Sequence, residues 1–324
     1  MDFELLKQII ILIISLFFLI KSSDLIIKSS TKIARMFRVS EFFIGFFLFS
    51  IATSLPELSI AVTSVYTGNN NLTIGNLMGA NIADLMLING LIAIFVPVTI
   101  KKEEINDLVT ILLLTSIFPL LLIGTDISSK MVGFGLLSAF FIFSISLSRK
   151  REKLKVDNHY KIGDHLKRLP KTFLNKFKEM SILILSVFIL FGSAFFVTKS
   201  ASFIANLLNV TQSLIGATII SLSTTLPELV VSINAAKQEK FSLVLGNTVG
   251  SAMTNAGLGL GFVLLFSPFK VNMAMFSELA IFLVISNLLL WYFMTDKKIT
   301  KIEGIISVLF YQIFVIISFF TGIL

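Results

Sequence analysis

The chain has 324 residues, 55% of them hydrophobic and 14% charged, with a mean hydropathy of +0.92 and a formal net charge of +8. That balance excludes an ordinary soluble domain and points to a membrane protein. Cysteine is absent, which excludes disulfides and thiolate metal sites.

Taken in chain order, ten apolar stretches approach the spanning length of ~20 residues. They cover roughly 3–35, 41–66, 73–96, 105–123, 128–148, 178–207, 212–237, 241–266, 273–295 and 301–323. The first opens with a lone Lys7 and lacks a small-residue cleavage site, so it reads as a span and not as a signal peptide. Within it, Lys21, Asp24 and Lys28 share one helix face. A local Asp24–Lys28 pair with Lys21 snorkelling is expected there.

The second stretch carries Ala52-Thr53-Ser54-Leu55-Pro56-Glu57. Proline cannot donate to the preceding turn, so carbonyls upstream are released near Ser50 to Thr53. Those carbonyls, the Thr53 and Ser54 hydroxyls and the Glu57 carboxylate are hard oxygens, suited to Na⁺ and Ca²⁺. A carboxylate inside a span is costly and marks a functional site by default. The third stretch holds Gly75-Asn76-Leu77-Met78-Gly79-Ala80-Asn81-Ile82-Ala83-Asp84. Its two glycines admit a close helix neighbour, and Asp84 is a further intramembrane acid. Asn89 and, later, Asn287 read as helix–helix hydrogen-bonders.

Residues 149–179 are hydrophilic, with eleven Lys/Arg against four acids. They supply +7 of the net charge and are too polar to build a core. This segment reads as a basic linker, 149–177, with an amphipathic helix possible around Leu166–Phe177. Basic charge confined to such a loop is explained by topology, without nucleic acid.

Beyond the linker the pattern returns. With a constant offset of 171 and no gaps, 41–97 matches 212–268 at 16 of 57 positions. The matches include Gly45/Gly216, Ser50/Ser221, Thr53/Thr224, Pro56/Pro227, Glu57/Glu228, Asn76/Asn247, Gly79/Gly250 and Gly90/Gly261. Chance similarity between apolar helices would match Leu and Ile instead. Ser54 pairs with Thr225, Ala80 with Ser251 and Asp84 with Asn255. The expected fold is therefore an all-α membrane protein of about ten transmembrane helices. It forms two five-helix repeats, 1–148 and 178–324, with Pro-broken helices at the ion site. An odd number of spans inverts the second copy, a transporter architecture. The positive-inside rule then places the linker in the cytoplasm and both termini outside. Twenty-one Lys/Arg fall on the cytoplasmic side in this arrangement, against three outside.

Charge limits the cargo. Glu57, Glu228 and Asp84 cannot all stay ionised in a dry site without cations. One Ca²⁺ offsets two charges and three Na⁺ offset three, so the site tolerates either filling but not emptiness. That is a basis for obligatory exchange. An intramembrane protease needs paired aspartates, and a channel builds its pore from a ring of charges. Neither suits two glutamates beside prolines. The bottom-up reading is a cation antiporter that needs no cofactor, with H⁺-coupled exchange of Ca²⁺ or another divalent as the alternative to Na⁺ coupling. Nothing in the pattern sets an oligomeric state.

Both halves resemble the alpha-repeats of the sodium/calcium exchanger family, within the cation/calcium antiporter superfamily. The resemblance is carried by TSLPEL…GNLMGANIAD and TTLPEL…GNTVGSAMTN. It implies ten helices with external termini, and Na⁺/Ca²⁺ exchange by alternating access. It implies that Glu57 and Glu228 bind both ions. Thr53, Thr224 and the backbone near Ser50 and Ser221 would add ligands. Ser54 and Thr225 would support the breaks, and Ser251 would line a Na⁺ position. Three departures stand out. Ala80 replaces a usual serine, so one Na⁺ position loses a side-chain ligand. Ala52 and Ser223 replace glycines common before the threonine. The acid of the Asp84/Asn255 pair lies in the first half, the reverse of some archaeal members.

Overall fold

A computed structural model describes residues 3–37, 41–67, 70–120, 129–157, 173–207, 225–266 and 273–321. Ser221 and Thr224 lie outside the described residues, as do 158–172 of the linker. The structure is all-α apart from one two-residue strand pair. The helices are α1 (Phe3–Phe37), α2 (41–53), α3 (Leu55–Thr67), α4 (70–95), α5 (Lys102–Leu120), α6 (Ser129–Asp157) and α7 (Phe173–Leu207). After these come α8 (Leu226–Lys237), α9 (241–266), α10 (Met273–Met294) and α11 (Lys301–Thr321). By length and apolarity five of the described helices qualify as spans, and α2 with α3, bent by 50°, would make a sixth.

The sequence repeat is also a repeat of local structure. Helices α1 and α7, α3 and α8, α4 and α9, α5 and α10, and α6 and α11 start at offsets between 170 and 172. Even the irregularities recur. A wide π-turn interrupts α4 at Ala83–Ile88 and α9 at Thr254–Gly259, an offset of 171 at both ends. Another π-turn, Ile44–Phe49, lies within α2.

The two helices that carry the repeated glycines form the centre. Described spans in α4 and α9 are 83% and 78% buried, against about a third or less for those in α1, α6 and α11. The outer helices turn Ile13, Phe17, Phe134, Ile142 and Phe320 outward, as lipid contact requires. Helix α9 crosses α2 with no room for a side chain: a Cβ on Gly246 would lie 2.6 Å from the Phe42 carbonyl oxygen. On Gly45 it would lie 2.9 Å from that of Leu243. The packing is reciprocal between halves. The end of α4 meets α11 at Gly90 and Gly304, while the end of α9 meets α6 at Gly261 and Gly133. Such exchange of equivalent contacts is the mark of a two-fold relation. Asn81 donates to the Ala252 carbonyl at 3.0 Å, a contact between residues 171 apart, so the axis passes close by.

One pairing breaks the symmetry. Helix α1 packs along α8, whereas α7 forms no such seam with α3 among the described residues. The α1–α8 seam is polar. Asn234 donates to Ser23 at 3.0 Å, Gln238 to Asp24 at 3.2 Å and Lys240 to Thr31 at 2.9 Å. Asp24 also pairs with Lys28 at 2.7 Å, as its spacing suggests.

Helix α6 continues to Asp157, and α7 begins at Phe173. Residues 149–155, rich in Arg, Lys and Glu, are good helix formers and carry the helix past the apolar segment.

Candidate cation-binding site

The break in the first half falls on Ser54, whose φ of −80° and ψ of 7° depart from the helix. Its twin Thr225 has φ −88° and ψ 0°. In each copy that residue's carbonyl accepts the N–H four positions on, from Leu58 and from Leu229, both at 2.9 Å. Proline sits just inside the new helix, where its missing N–H costs least. Each glutamate therefore lies in the first turn of a helix, Glu57 in α3 and Glu228 in α8. Helix N-termini carry partial positive charge that favours a carboxylate. The Ser50 carbonyl accepts the Ser54 N–H at 3.0 Å, so it is not released as proline chemistry suggested. It retains its second lone pair.

These elements bring most of the expected ligands together. Ser50, Thr53, Ser54, Glu57, Asp84, Thr225, Glu228, Ser251 and Asn255 are all buried, none more than 3% exposed. Asp84 lies within Coulombic range of both Glu228 and Glu57. The Thr53, Ser251 and Ser54 hydroxyls face the Glu228 carboxylate. The two halves thus share one site: Glu228 of the second lies against Thr53 and Ser54 of the first.

A second set of residues organises the first. Asn247, on α9, accepts from Thr53 at 3.2 Å and donates to the Glu228 carbonyl at 3.3 Å and to Ser232 at 3.0 Å. One amide so ties together both broken helices. Its repetition as Asn76/Asn247 was a visible signal, though its position between the two breaks was not. Thr254 also escaped the sequence reading. It lies 3.3 Å from the Ser50 hydroxyl, and Ser251 lies 3.4 Å from that of Thr53. Hydroxyls present in only one copy, as Thr254 is against Ala83, leave no repeat signal.

Several oxygens here lack a hydrogen-bond partner: Asp84 Oδ1, Asn255 Oδ1, Glu228 Oε2 and Ser54 Oγ. Buried polar atoms are normally satisfied, and orphans clustered at one place call for a ligand. Among the described residues no three acidic or imidazole side chains converge closely enough to hold a metal by themselves. A cation here must draw on carboxylate, hydroxyl, amide and carbonyl oxygen together, the mixture that suits Na⁺ and Ca²⁺.

Buried acids on two broken helices, in a two-fold bundle with lipid-facing flanks, define a membrane transporter of cations. Comparison with known proteins agrees. The family model for the sodium/calcium exchanger protein matches residues 7–148 and 178–320. The sodium/calcium exchanger MaX1 of Methanosarcina acetivorans is 32% identical, covering 96% of this chain and 98% of its own. An uncharacterized membrane protein of Methanocaldococcus jannaschii, MJ0091, is also 32% identical, over 93% and 94%. A solved structure of the sodium-calcium exchanger NCX_Mj, soaked with zero Na⁺ and Ca²⁺, superposes with a TM-score of 0.80. The sequences are 29% identical there, with 94% of this chain and 97% of that one covered. The same exchanger soaked with 2.5 mM Na⁺ and 0.1 mM Ca²⁺ gives 0.78, covering 97% and 98%. The chain belongs to the sodium/calcium exchanger family and is a multi-pass membrane antiporter of that type.

Proposed function

We propose that the chain exchanges Na⁺ for Ca²⁺ by alternating access, with both ions held in turn by one shared set of oxygens at mid-membrane. The observation that carries this reading is the meeting of Glu228 with Thr53 and Ser54 of the opposite half, with Asp84 in range of both glutamates. Glu57 and Glu228 clasp the divalent ion. Thr53, Thr224 and oxygens at Ser50 and Ser221 complete its shell, and Ser54 and Thr225 hold the breaks. Ser251 lines a Na⁺ position, and Asp84 and Asn255 occupy the matched places beside the clasp. The ion leaves chemically unchanged, so the protein is a carrier and not an enzyme. Two inverted five-span repeats, 1–148 and 178–324, flank a cytoplasmic linker at 149–177, with both termini outside.

The decisive measurement is ⁴⁵Ca²⁺ uptake into proteoliposomes. Uptake driven by an internal Na⁺ load, and not by a pH gradient, is expected. Uptake on the pH gradient alone would make H⁺ the coupling ion and refute Na⁺ coupling.

A further inference from the structure

The acid Asp84 has an amide as its twin, and a second polar asymmetry accompanies it. Asn89 closes the π-turn that carries Asp84, and is 1% exposed. Its side-chain amide donates to the carbonyls of Asp84 and Leu85 at 3.1 and 3.2 Å. Its Oδ1 accepts from the Thr248 hydroxyl on α9 at 3.1 Å, and Thr248 is fully buried. Thr248 directly follows Asn247, the residue bonded to Thr53 and to the Glu228 carbonyl. A continuous set of hydrogen bonds and one peptide link thus runs from the Asp84 turn to both broken helices.

The twin positions have none of this. Leu260 stands opposite Asn89 in the repeat, and Leu77 stands opposite Thr248. The same π-turn forms there around Asn255. The molecule therefore contains its own control: a leucine pair suffices to build and bury such a turn. Burying an amide and a hydroxyl in place of two leucines gives no advantage in packing and requires every polar atom to be satisfied. The polar pair occurs on the side where the turn bears a carboxyl.

We infer that Asn89 and Thr248 are positioning residues for ion exchange, fixing the Asp84-bearing turn against the two-glutamate clasp and so setting the affinity for Ca²⁺. They touch no ion. The inference rests on the ligand set proposed above. E228Q tests that set separately, since normal exchange by E228Q would remove the site itself, whatever Asn89 does.

The test is N89L/T248L, which installs the residues of the twin. In Na⁺-loaded proteoliposomes the Ca²⁺ concentration for half-maximal uptake should rise about three- to tenfold, the equivalent of one lost hydrogen bond. The maximal rate and the thermal midpoint should stay at the wild-type values. T248S keeps the hydroxyl and should match wild type, while the isosteric T248V should shift half-saturation in the same direction as the pair. A folded N89L/T248L protein with unaltered half-saturation overturns the proposal. So does a fall in thermal midpoint and maximal rate at constant half-saturation, which is what a packing role alone would produce. Should the double variant not fold, equal half-saturation in T248V and T248S overturns it instead.

Discussion

Glu57 and Glu228 are ordinary carboxylates in unusual places, each at the start of a helix that exists because a proline ended the one before. Breaking a buried charge pair costs about 3–5 kcal/mol, so E57Q or E228Q should weaken Ca²⁺ binding by more than about hundredfold. Exchange should be nearly abolished while the detergent-solubilised protein remains folded, and ⁴⁵Ca²⁺ flux together with a melting curve checks both. Thr53 makes a finer case. Its hydroxyl meets Asn247 and Ser251 as well as the backbone of Phe49. T53V keeps the shape and removes those bonds, so it should raise half-saturation for Ca²⁺ and leave the melting temperature within a few degrees, about 1 kcal/mol or less. The residues legible in the sequence were those whose chemistry is repeated at a fixed offset. Glu, Pro, Gly and Asn in an apolar run are conspicuous, and twice conspicuous when they recur. Thr248 and Thr254 were not legible, because a lone hydroxyl in a span is unremarkable until the helix opposite is known.

At the scale of elements, the glycines of the second copy admit a backbone closely, whereas no described atom lies within 4 Å of a Cβ placed on Gly79 in the first. A methyl group on Gly246 would meet the Phe42 carbonyl oxygen at 2.6 Å and the Phe46 amide nitrogen at 3.0 Å. Neither can move without shifting α2, which carries Ser50 and Thr53. G246A should therefore lower both the melting temperature and the exchange rate. On α6, Gly135 has no described atom within 4 Å of such a methyl. G135A should be neutral or slightly stabilising, by up to about 1 kcal/mol, since alanine is the better helix former. Comparing melting curves of the two variants tests the crossing directly, and equal curves would contradict it. The breaks at Ser54 and Thr225 were legible from Pro56 and Pro227. The π-turns were not: a single inserted residue leaves no proline or charge to announce it, and apolar runs look alike at periods of 3.6 and slightly more. The continuation of α6 past its apolar segment to Asp157 has a related cause, since hydropathy marks where the membrane ends and not where the helix does.

At the scale of the molecule, the two halves are alike in build but not in posture. Helix α1 is fastened to α8 through Ser23, Asp24 and Thr31, while the matching α7–α3 seam is absent among the described residues. Because the chain lacks cysteine, S23C/N234C can be joined without background by a short bis-methanethiosulfonate linker, held at each end by a disulfide. The joined protein should bind Ca²⁺ yet fail to exchange it, and reduction should restore flux; undiminished exchange when joined would show the seam to be passive. The side on which it lies is open to a separate check. Lys155→Cys should react with impermeant reagents only from the cytoplasm, and Thr67→Cys from outside. The reciprocal glycine contacts, Gly90 on Gly304 and Gly133 on Gly261, have a consequence for how the protein is made. The ribosome finishes the first half long before the surfaces it must grip have been synthesised. Until then these closely fitted seams stay open in the bilayer, and a chain truncated in the linker would be inserted but incomplete. Each half waits for the other, and two separately translated halves should find one another in the same membrane.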